Sequence, residues 1–197
     1  IFGGEELLPN TAKNFVKYDN IIIYNTYGPT EATVEVSIHK YSNINQINKI
    51  SIGKPINNAK IYILDKNSNL CPIGVVGELT ISGEGIARGY LNNPDLTNEV
   101  FIPNPFAQED YDKVLYKTGD YARFLPDGNI EFIGRIDNQV KIRGFRIELG
   151  EIENTLINIY GIDDAVCIAI EEDDATVKAL SAYFVADKEL DDSSVKE

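Results

Sequence analysis

The hydrophobic and polar positions of the chain are spaced first as in a helix and then as in a buried strand. Apolar residues within 5–18, after the polar sequence Pro-Asn-Thr at 9–11, predict a short capped helix. Residues 21–25 are an apolar run that stops at a turn. Such a run predicts a strand buried on both faces, as in a parallel sheet. The polar segment 27–31 then lies at the carboxyl end of that strand, where open α/β sheets bind ligands.

From residue 50 to 135 the apolar positions alternate in short segments that Pro, Gly, Asn and Asp separate. This alternation predicts a small antiparallel sheet or barrel. A hairpin turn is predicted at Pro126, Asp127 and Gly128. The predicted strands of this block are 60–64, 78–82, 115–117, 121–124 and 129–133.

A third pattern begins near Asp137. A short strand over 139–142 precedes a helix with one apolar stripe, which Gly161 follows. Two further strands are predicted over 165–170 and 177–185. The predicted fold class is therefore mixed α/β and α+β: the end of an α/β sheet, a small antiparallel β-barrel or sheet, and part of a small α+β subdomain. The stripe of the predicted helix consists of Leu149, Ile152, Leu156 and Ile159.

The composition excludes several classes of protein. With 31 acidic and 18 basic residues the formal net charge is −13, and so acidic a chain is not suited to binding nucleic acid. Cys71 and Cys167 lie far apart and match neither a disulfide framework nor a zinc site. No apolar run is long enough to cross a membrane. We therefore expect a cytoplasmic protein with neither nucleic acid nor membrane as a partner.

The chain contains no methionine, although translation begins with one. Its first four residues have the pattern of a strand that runs into a turn. We therefore expect the chain to be a fragment of a longer protein.

Three polar segments suit a nucleotide. In the first, Gly28 and Pro29 force a tight turn that presents Tyr27, Thr30 and Glu31 together. An aromatic face, a hydroxyl and a carboxylate suit a base, a phosphate oxygen and a magnesium ion. Taken alone, such a turn is as often structural as functional.

The second segment ends at Asp120, whose carboxylate can accept hydrogen bonds from both hydroxyls of a ribose. The third segment, 134–153, places four basic residues within 12 positions of an acidic chain. It lies at a candidate domain boundary, where charged ligands and moving parts often meet. A salt-bridged surface is an alternative explanation of the same pattern.

In this order, the segments resemble the adenylation domains of nonribosomal peptide synthetases. The matching motifs are residues 25–31, 77–90, 116–120 and 134–153, which are spread over nearly 130 residues. The wider superfamily also contains acyl-CoA ligases and luciferases. Residues 144–153 and 2–5 are similar to the peptide-synthetase version of the motifs. Four motifs in one order are far more specific than any single motif.

The resemblance implies that the domain converts an amino acid and ATP to an aminoacyl adenylate and pyrophosphate. It then passes the aminoacyl group to the phosphopantetheine thiol of a partner carrier-protein domain, and the intact domain uses ATP and Mg²⁺. By the same resemblance Tyr27 packs on adenine, Thr30 contacts the α-phosphate and Glu31 binds magnesium. Asp120 holds the ribose hydroxyls, and Arg135 lies nearby on the ribose and phosphates.

Further residues are assigned only through the resemblance. Asp137 is the hinge about which the small C-terminal subdomain rotates, and the loop 143–148 then faces the path of the pantetheine. Most of the amino-acid pocket lies upstream in the family, so the identity of the amino acid stays open. The part of the pocket within this chain is lined by Thr26, Val34 and Glu35, together with Phe2.

The pattern of the family is incomplete in this chain. The upstream Ser/Thr/Gly-rich phosphate loop with its lysine is missing, as is the downstream segment with the catalytic lysine, so no complete catalytic set is expected. The resemblance makes residues 1–50 the end of the large adenylation subdomain, 51–135 a barrel-like subdomain, and 136–197 the hinge and part of the C-terminal α+β subdomain. Two alternatives stay open: a fragment of an acyl-CoA or aryl-acid ligase, and a non-catalytic interaction module derived from the same fold.

The isolated chain is predicted not to catalyse amino-acid-dependent exchange of pyrophosphate into ATP, because both lysine-bearing segments of the family are missing from it. Labelled pyrophosphate and a panel of amino acids test this. Robust exchange by the purified chain would contradict the prediction.

Overall fold

The chain divides into two units, Ile1–Ile136 and Asp137–Glu197. A computed structural model describes residues 1–4, 7, 11–12, 14–15, 21–41, 50–136, 139–142, 145–159, 161–171 and 177–186. The helix predicted over residues 5–18 lies mostly outside these described residues, and Thr11 and Ala12 are helical within them.

Eight strands form one sheet in the described part of the first unit. Every pair of neighbouring strands in this sheet is antiparallel. The helix α1 (Pro94–Val100) precedes the sixth strand along the chain. The strands are β1 (Ile23–Tyr27), β2 (Ser37–Tyr41), β3 (Ser51–Pro55), β4 (Ala59–Leu64), β5 (Gly77–Gly83), β6 (Phe101–Pro103), β7 (Val114–Phe124) and β8 (Ile130–Arg135). Their order is β1-β2-β3-β8-β7-β5-β4, and β6 pairs with β7.

This sheet is strongly curved. β1 and β7 stand four places apart in the strand order, which in a flat sheet would separate them by roughly 19 Å. The hydroxyl of Tyr27 on β1 nevertheless donates a hydrogen bond to the carboxylate of Asp120 on β7. One side chain cannot span the flat-sheet distance, so the curvature brings these strands together.

The core of the first unit is a cluster of buried apolar side chains. In β4, Ile61 and Ile63 are buried while Lys60 and Tyr62 are only partly so, which is the alternation expected of a strand with one face inward. Each fully buried Leu or Ile side chain stabilises the folded state by about 1.5–3 kcal/mol. The cluster consists of Tyr27, Ala32, Val36, Ile52, Ile61, Ile63, Leu79, Ile81, Tyr116, Ala122 and Ile130.

The prediction for residues 21–25 is wrong in two respects. The strand β1 begins two residues later, and Ile21 and Ile22 are 43% and 51% exposed. β1 also pairs along its whole length with the antiparallel β2. Its parallel contact in the described residues is a single bridge between Phe2 and Asn25. An apolar run indicates burial but carries no information on strand direction.

The antiparallel block predicted over residues 50–135 is confirmed in its main strands and its hairpin. Leu125 donates its backbone N–H to the carbonyl of Asn129 (2.8 Å), and Gly128 has the positive φ of +80° that the turn requires. The segments predicted as 115–117 and 121–124 are one strand, β7, because Gly119 (φ +71°) interrupts its pattern without ending its pairing. The alternation did not indicate β2, β3, β6 or α1.

The described part of the second unit contains the predicted helix and hairpin. The predicted helix ends two residues before Ile159, and Leu149, Leu156 and Cys167 are buried. Gly161 then has a φ of +97°, as expected of a residue after a helix end. The elements are β9 (Val140–Ile142), β10 (Phe145–Ile147), α2 (Leu149–Ile157), β11 (Ile162–Glu171) and β12 (Val177–Ala186).

Together the two units give the mixed α/β and α+β fold class that the sequence predicts. In the described residues β10 pairs with β9 and β11 with β12, both antiparallel. None of the helices in these residues is long and apolar enough to cross a bilayer.

Gly53→Ala is predicted to destabilise the chain by about 3 kcal/mol or more, because a Cβ there would overlap the backbone carbonyl of Ile38 on β2. Gly74→Ala is a matched control, since both glycines have a φ of +83° but no atom lies within 4 Å of a Cβ at Gly74. The free energy of unfolding of Gly74→Ala should fall by only about 1–2 kcal/mol, which is the cost of placing an alanine at a positive φ. Urea unfolding followed by circular dichroism measures both, and equal losses would contradict the prediction.

Candidate nucleotide-binding site

The loop that follows β1 folds back tightly on itself. Val36 donates its backbone N–H to the carbonyl of Tyr27 (2.8 Å), which closes the loop. A Cβ at Gly28 would lie 2.8 Å from the carbonyl carbon of Val34, so this close approach requires glycine. Thr30–Ala32 form a 3-10 turn between these contacts. The loop therefore holds its threonine and glutamate beside the end of β1, whereas Tyr27, which the sequence placed with them, is buried in the core.

A buried carboxylate lies next to this loop. Asp120 is only 7% exposed, and its Oδ2 accepts a hydrogen bond from the Tyr27 hydroxyl. Its Oδ1 accepts one from Nη1 of Arg135 (2.8 Å), which also donates to the carbonyl of Thr118 (3.2 Å). The two side chains approach the carboxylate from different strands, so its orientation is fixed at both oxygens.

The main chain next to this carboxylate is also held. Asp120 donates its backbone N–H to Oγ1 of Thr118 (3.0 Å), and that hydroxyl donates to the carbonyl of Leu79 (2.6 Å) on β5. Thr118 is itself buried. The threonine of the motif 116–120 therefore supports the aspartate and does not face solvent.

The environment keeps Tyr27 protonated. Burial raises the pKa of its hydroxyl well above the usual value of 10.0, and the charge of Asp120 and the hydrogen bond to it raise the pKa further. A hydrogen bond with Thr118 and the charge of Arg135 act in the opposite direction, more weakly. Tyr27 is therefore a neutral hydrogen-bond donor at physiological pH.

The ring of Tyr27 belongs to the core cluster, 6.3 Å from the ring of Phe132 between centroids. Its packing on adenine stays a prediction. The contact of its hydroxyl with Asp120 was not predicted, and it joins two residues that separate motifs assign to the nucleotide.

A second carboxylate, that of Glu31, also accepts a hydrogen bond from a tyrosine. The hydroxyl of Tyr90 donates to Oε1 of Glu31 at 2.7 Å. Burial, followed by this hydrogen bond, raises the pKa of Tyr90 well above its usual value. Thr30, next to Glu31, is exposed. Tyr90 was part of a matching motif but was not predicted as a site residue, because no local pattern links it to a partner 59 positions earlier.

Glu31 fits the chemistry of a magnesium ligand. Mg²⁺ is usually bound through one or two protein carboxylates together with substrate phosphates and water, and not by a cage of protein ligands. In the described part of the chain no group of three or more His, Cys, Asp or Glu side chains forms such a cage. A single carboxylate beside an exposed threonine suits a metal that arrives with a phosphate ligand.

The residues expected to line an amino-acid pocket are only partly brought together. Glu35 lines a depression of about 210 Å³. Val34 is 69% exposed, whereas Thr26 is buried and its hydroxyl donates to the carbonyl of Phe2 (3.1 Å). The ring of Phe2 packs edge-on against Phe15, with centroids 5.4 Å apart.

The predicted hinge, Asp137, and the basic residue Arg143 lie outside the described residues. The division between the two units falls between Ile136 and Asp137. Rotation about this point stays a prediction.

Comparison with known proteins gives two kinds of relative. A family model described as AMP-binding enzyme matches residues 1–91. Bacitracin synthase 3 of Bacillus licheniformis is 56% identical over 176 residues, which are 89% of this chain and 3% of that protein. The solved structure of NpsA-ThdA, an artificially fused adenylation-PCP di-domain NRPS from Klebsiella oxytoca, has a TM-score of 0.81 and 29% identity over 98% of this chain. The chain belongs to the adenylation domains of nonribosomal peptide synthetases.

The chain spans only a part of these relatives. It covers 36% of NpsA-ThdA. It also covers 36% of the adenylation domain AlmE of Vibrio cholerae, solved in complex with glycyl-adenosine-5'-phosphate, with a TM-score of 0.84 and 25% identity. The chain is thus similar to about a third of these solved adenylation proteins and to a small part of the synthase.

Tyr27→Phe is predicted to destabilise this part of the adenylation domain by about 1.5–3 kcal/mol at pH 7, because the buried carboxylate of Asp120 loses a donor. It should also change the pH dependence of stability. A raised pKa in the folded state stabilises the fold fully below pH 10, the unfolded value, and this stabilisation is lost as pH rises above 10. The variant should therefore lose less stability than the parent between about pH 10 and 12.

Urea unfolding of the parent and of Tyr27→Phe at a series of pH values measures how much stability each loses as pH rises. Tyr62→Phe is the control at pH 7, since it removes a phenol that stacks on Phe106 and has no hydrogen-bond partner among the described residues. Parallel stability curves of the parent and Tyr27→Phe above pH 10 would be evidence against the role of the Tyr27 hydroxyl.

Proposed function

We propose that the chain is the part of an amino-acid-activating adenylation domain that binds the ribose and the α-phosphate side of ATP. In the first half-reaction a carboxylate oxygen of the amino acid attacks the α-phosphorus, and the bond to pyrophosphate breaks. In the second, a pantetheine thiol attacks the acyl carbon and AMP leaves. Both displacements depend more on positioning and charge neutralisation than on a protein nucleophile.

The observation that carries this proposal is the buried carboxylate of Asp120. A carboxylate has about four acceptor sites, so it can accept from ribose hydroxyls in addition to Tyr27 and Arg135. The guanidinium, 2.8 Å from Oδ1, compensates the negative charge. The ribose hydroxyls are neutral donors. A site that binds them therefore needs correctly directed acceptor oxygens, and it does not need a net charge.

The phosphate side of the nucleotide is assigned to the loop after β1. Thr30 contacts the α-phosphate through its exposed hydroxyl, and Glu31 holds Mg²⁺ through its carboxylate. When bound, the metal neutralises charge on the phosphates. The two residues are adjacent in the 3-10 turn Thr30–Ala32, and the closed loop keeps them near the end of β1.

Two solved relatives support an amino acid and a carrier protein as the further partners. NpsA-ThdA contains an adenylation and a PCP domain, and AlmE was solved with a glycyl adenylate. In this chain Thr26, Val34 and Glu35 form part of the amino-acid pocket. The second unit, rotating at Asp137, presents the loop 143–148 to the phosphopantetheine of a carrier domain.

The peptide synthases among the relatives favour this function over that of an acyl-CoA or aryl-acid ligase. Bacitracin synthase 3 is 56% identical over most of the chain. A non-catalytic module is disfavoured because the polar groups assigned to ATP form a hydrogen-bonded set in which Tyr27 and Arg135 both donate to Asp120.

Asp120→Ala in the intact adenylation domain is predicted to raise the KM for ATP about 10- to 100-fold, since hydrogen bonds to a charged group contribute about 1.5–3 kcal/mol. The KM for the amino acid should stay within about twofold, because Asp120 is assigned to the ribose and not to the amino acid. Pyrophosphate exchange measures both constants.

The matched control is Asp110→Ala, which removes a carboxylate whose side chain is 95% exposed and paired with Lys113. It should leave both constants unchanged. An unchanged KM for ATP in an Asp120→Ala domain that remains folded would disprove the assignment of Asp120 to the nucleotide.

A further inference from the structure

We propose that Tyr90 is a positioning residue, which orients the Glu31 carboxylate toward the metal that accompanies the phosphates of ATP. The inference rests on the proposed function, in which Glu31 is the magnesium ligand. It adds a residue to which neither the motifs nor the relatives assign a role.

The direct evidence is the hydrogen bond from the Tyr90 hydroxyl to Oε1 of Glu31, at 2.7 Å. The two residues are 59 positions apart, so the contact depends on the fold and not on the local sequence. A glutamate side chain has three rotatable bonds, and a donor at one carboxylate oxygen restricts the direction of the other. Hydrogen bonds of this kind fix metal ligands in many proteins.

Tyr90 is itself held rigidly. Its ring meets that of Phe101 edge-on, with centroids 5.6 Å apart, and Phe101 in turn packs on Tyr116 at 5.0 Å. Tyr116 is 2% exposed and belongs to the core. The position of the Tyr90 hydroxyl is therefore set by ring packing that reaches into the core of the first unit.

The backbone of Tyr90 is held as well. Its N–H donates to Oγ1 of Thr97 (2.9 Å) on α1, and that hydroxyl donates to the carbonyl of Asn93 (2.7 Å). Gly89 has a φ of +133°, and a Cβ there would lie 2.9 Å from Oγ1 of Thr97. The close approach of this segment to α1 thus requires the glycine that precedes Tyr90.

The segment before Tyr90 also fixes the loop that carries Glu31. Ala87 donates its backbone N–H to the carbonyl of Glu31 (2.8 Å), and Thr33 donates its hydroxyl to the carbonyl of Gly85 (2.6 Å). The backbone of the glutamate and its carboxylate are therefore both held by residues 85–90. Such a double attachment suits a metal ligand, because the position and the direction of the carboxylate are both set before the metal arrives.

The test uses the intact adenylation domain and measures ATP binding by calorimetry, once in EDTA and once with saturating Mg²⁺. The ratio of the two dissociation constants gives the gain in affinity due to the metal. Tyr90→Phe should reduce this gain about tenfold, the lower end of the usual effect of losing a residue that orients a metal ligand. Its ATP affinity in EDTA should stay within about twofold of the parent, because the ring still packs on Phe101.

Tyr62→Phe is the matched control, since it also removes one phenolic hydroxyl from a ring that packs on a phenylalanine, at 5.2 Å between centroids. It should leave the gain unchanged. A purely structural role of Tyr90 would weaken ATP binding equally with and without Mg²⁺, and that result overturns the proposal. So does a Tyr90→Phe domain with the full gain.

Glu31→Gln separates failure of this inference from failure of the proposed function. If the parent gains affinity from Mg²⁺ and Glu31→Gln loses it while Tyr90→Phe does not, the metal ligand is right and the positioning role is wrong. If Glu31→Gln keeps the full gain, the assignment of Glu31 to the metal fails and the inference fails with it. Reduction of the gain in both variants supports the positioning role.

Discussion

The buried charge of Asp120 is the constraint on which the first unit depends. A carboxylate that is 7% exposed has lost most of its hydration, and such a group is tolerated only when charged and hydrogen-bonding partners replace the water. Tyr27 and Arg135 are those partners. They lie on β1 and β8 while Asp120 lies on β7, so this charge is satisfied only when three strands meet.

The sheet meets this requirement in two ways. Asp120 and Arg135 lie directly opposite each other in the antiparallel pair β7 and β8, so their contact follows from register alone. Tyr27 reaches the same carboxylate only because the sheet curves. A register shift follows Tyr121 in the pairing with β8, and such irregularities increase local twist and bend a strand. The irregular part of β7 is therefore also the part that brings the carboxylate to β1.

Local patterns predicted the elements whose causes are local. The turn at Gly128, the alternation of β4 and the apolar stripe of α2 were all visible in the sequence because each depends on neighbouring residues. Strand direction and long-range pairing were not, so β1 was placed in a parallel sheet although it pairs with the antiparallel β2. Patterning also split β7 at Gly119, since it records side-chain polarity and not the continuity of hydrogen bonding.

The candidate site divides in the same way. The motif residues Tyr27, Glu31 and Asp120 were predicted from their chemistry and from the resemblance, and the structure gives each a defined set of neighbours. The contacts between them could not be predicted. Tyr27 and Asp120 are 93 positions apart, and Tyr90 and Glu31 are 59 apart. Only the curved sheet and the contacts of residues 85–90 with the loop after β1 make these pairs neighbours.

Each carboxylate of the site accepts a hydrogen bond from a tyrosine of a distant segment, and these contacts suit the ligand proposed for each. Asp120 accepts from a tyrosine and from an arginine that compensates its charge, which suits an acceptor for neutral ribose hydroxyls. Glu31 accepts from Tyr90, a neutral donor that directs the carboxylate without adding positive charge. A cationic donor in that place would compete with Mg²⁺ for the same carboxylate, whereas a phenol does not. Tyrosine at position 90 can therefore orient this negative group without itself contributing a positive charge.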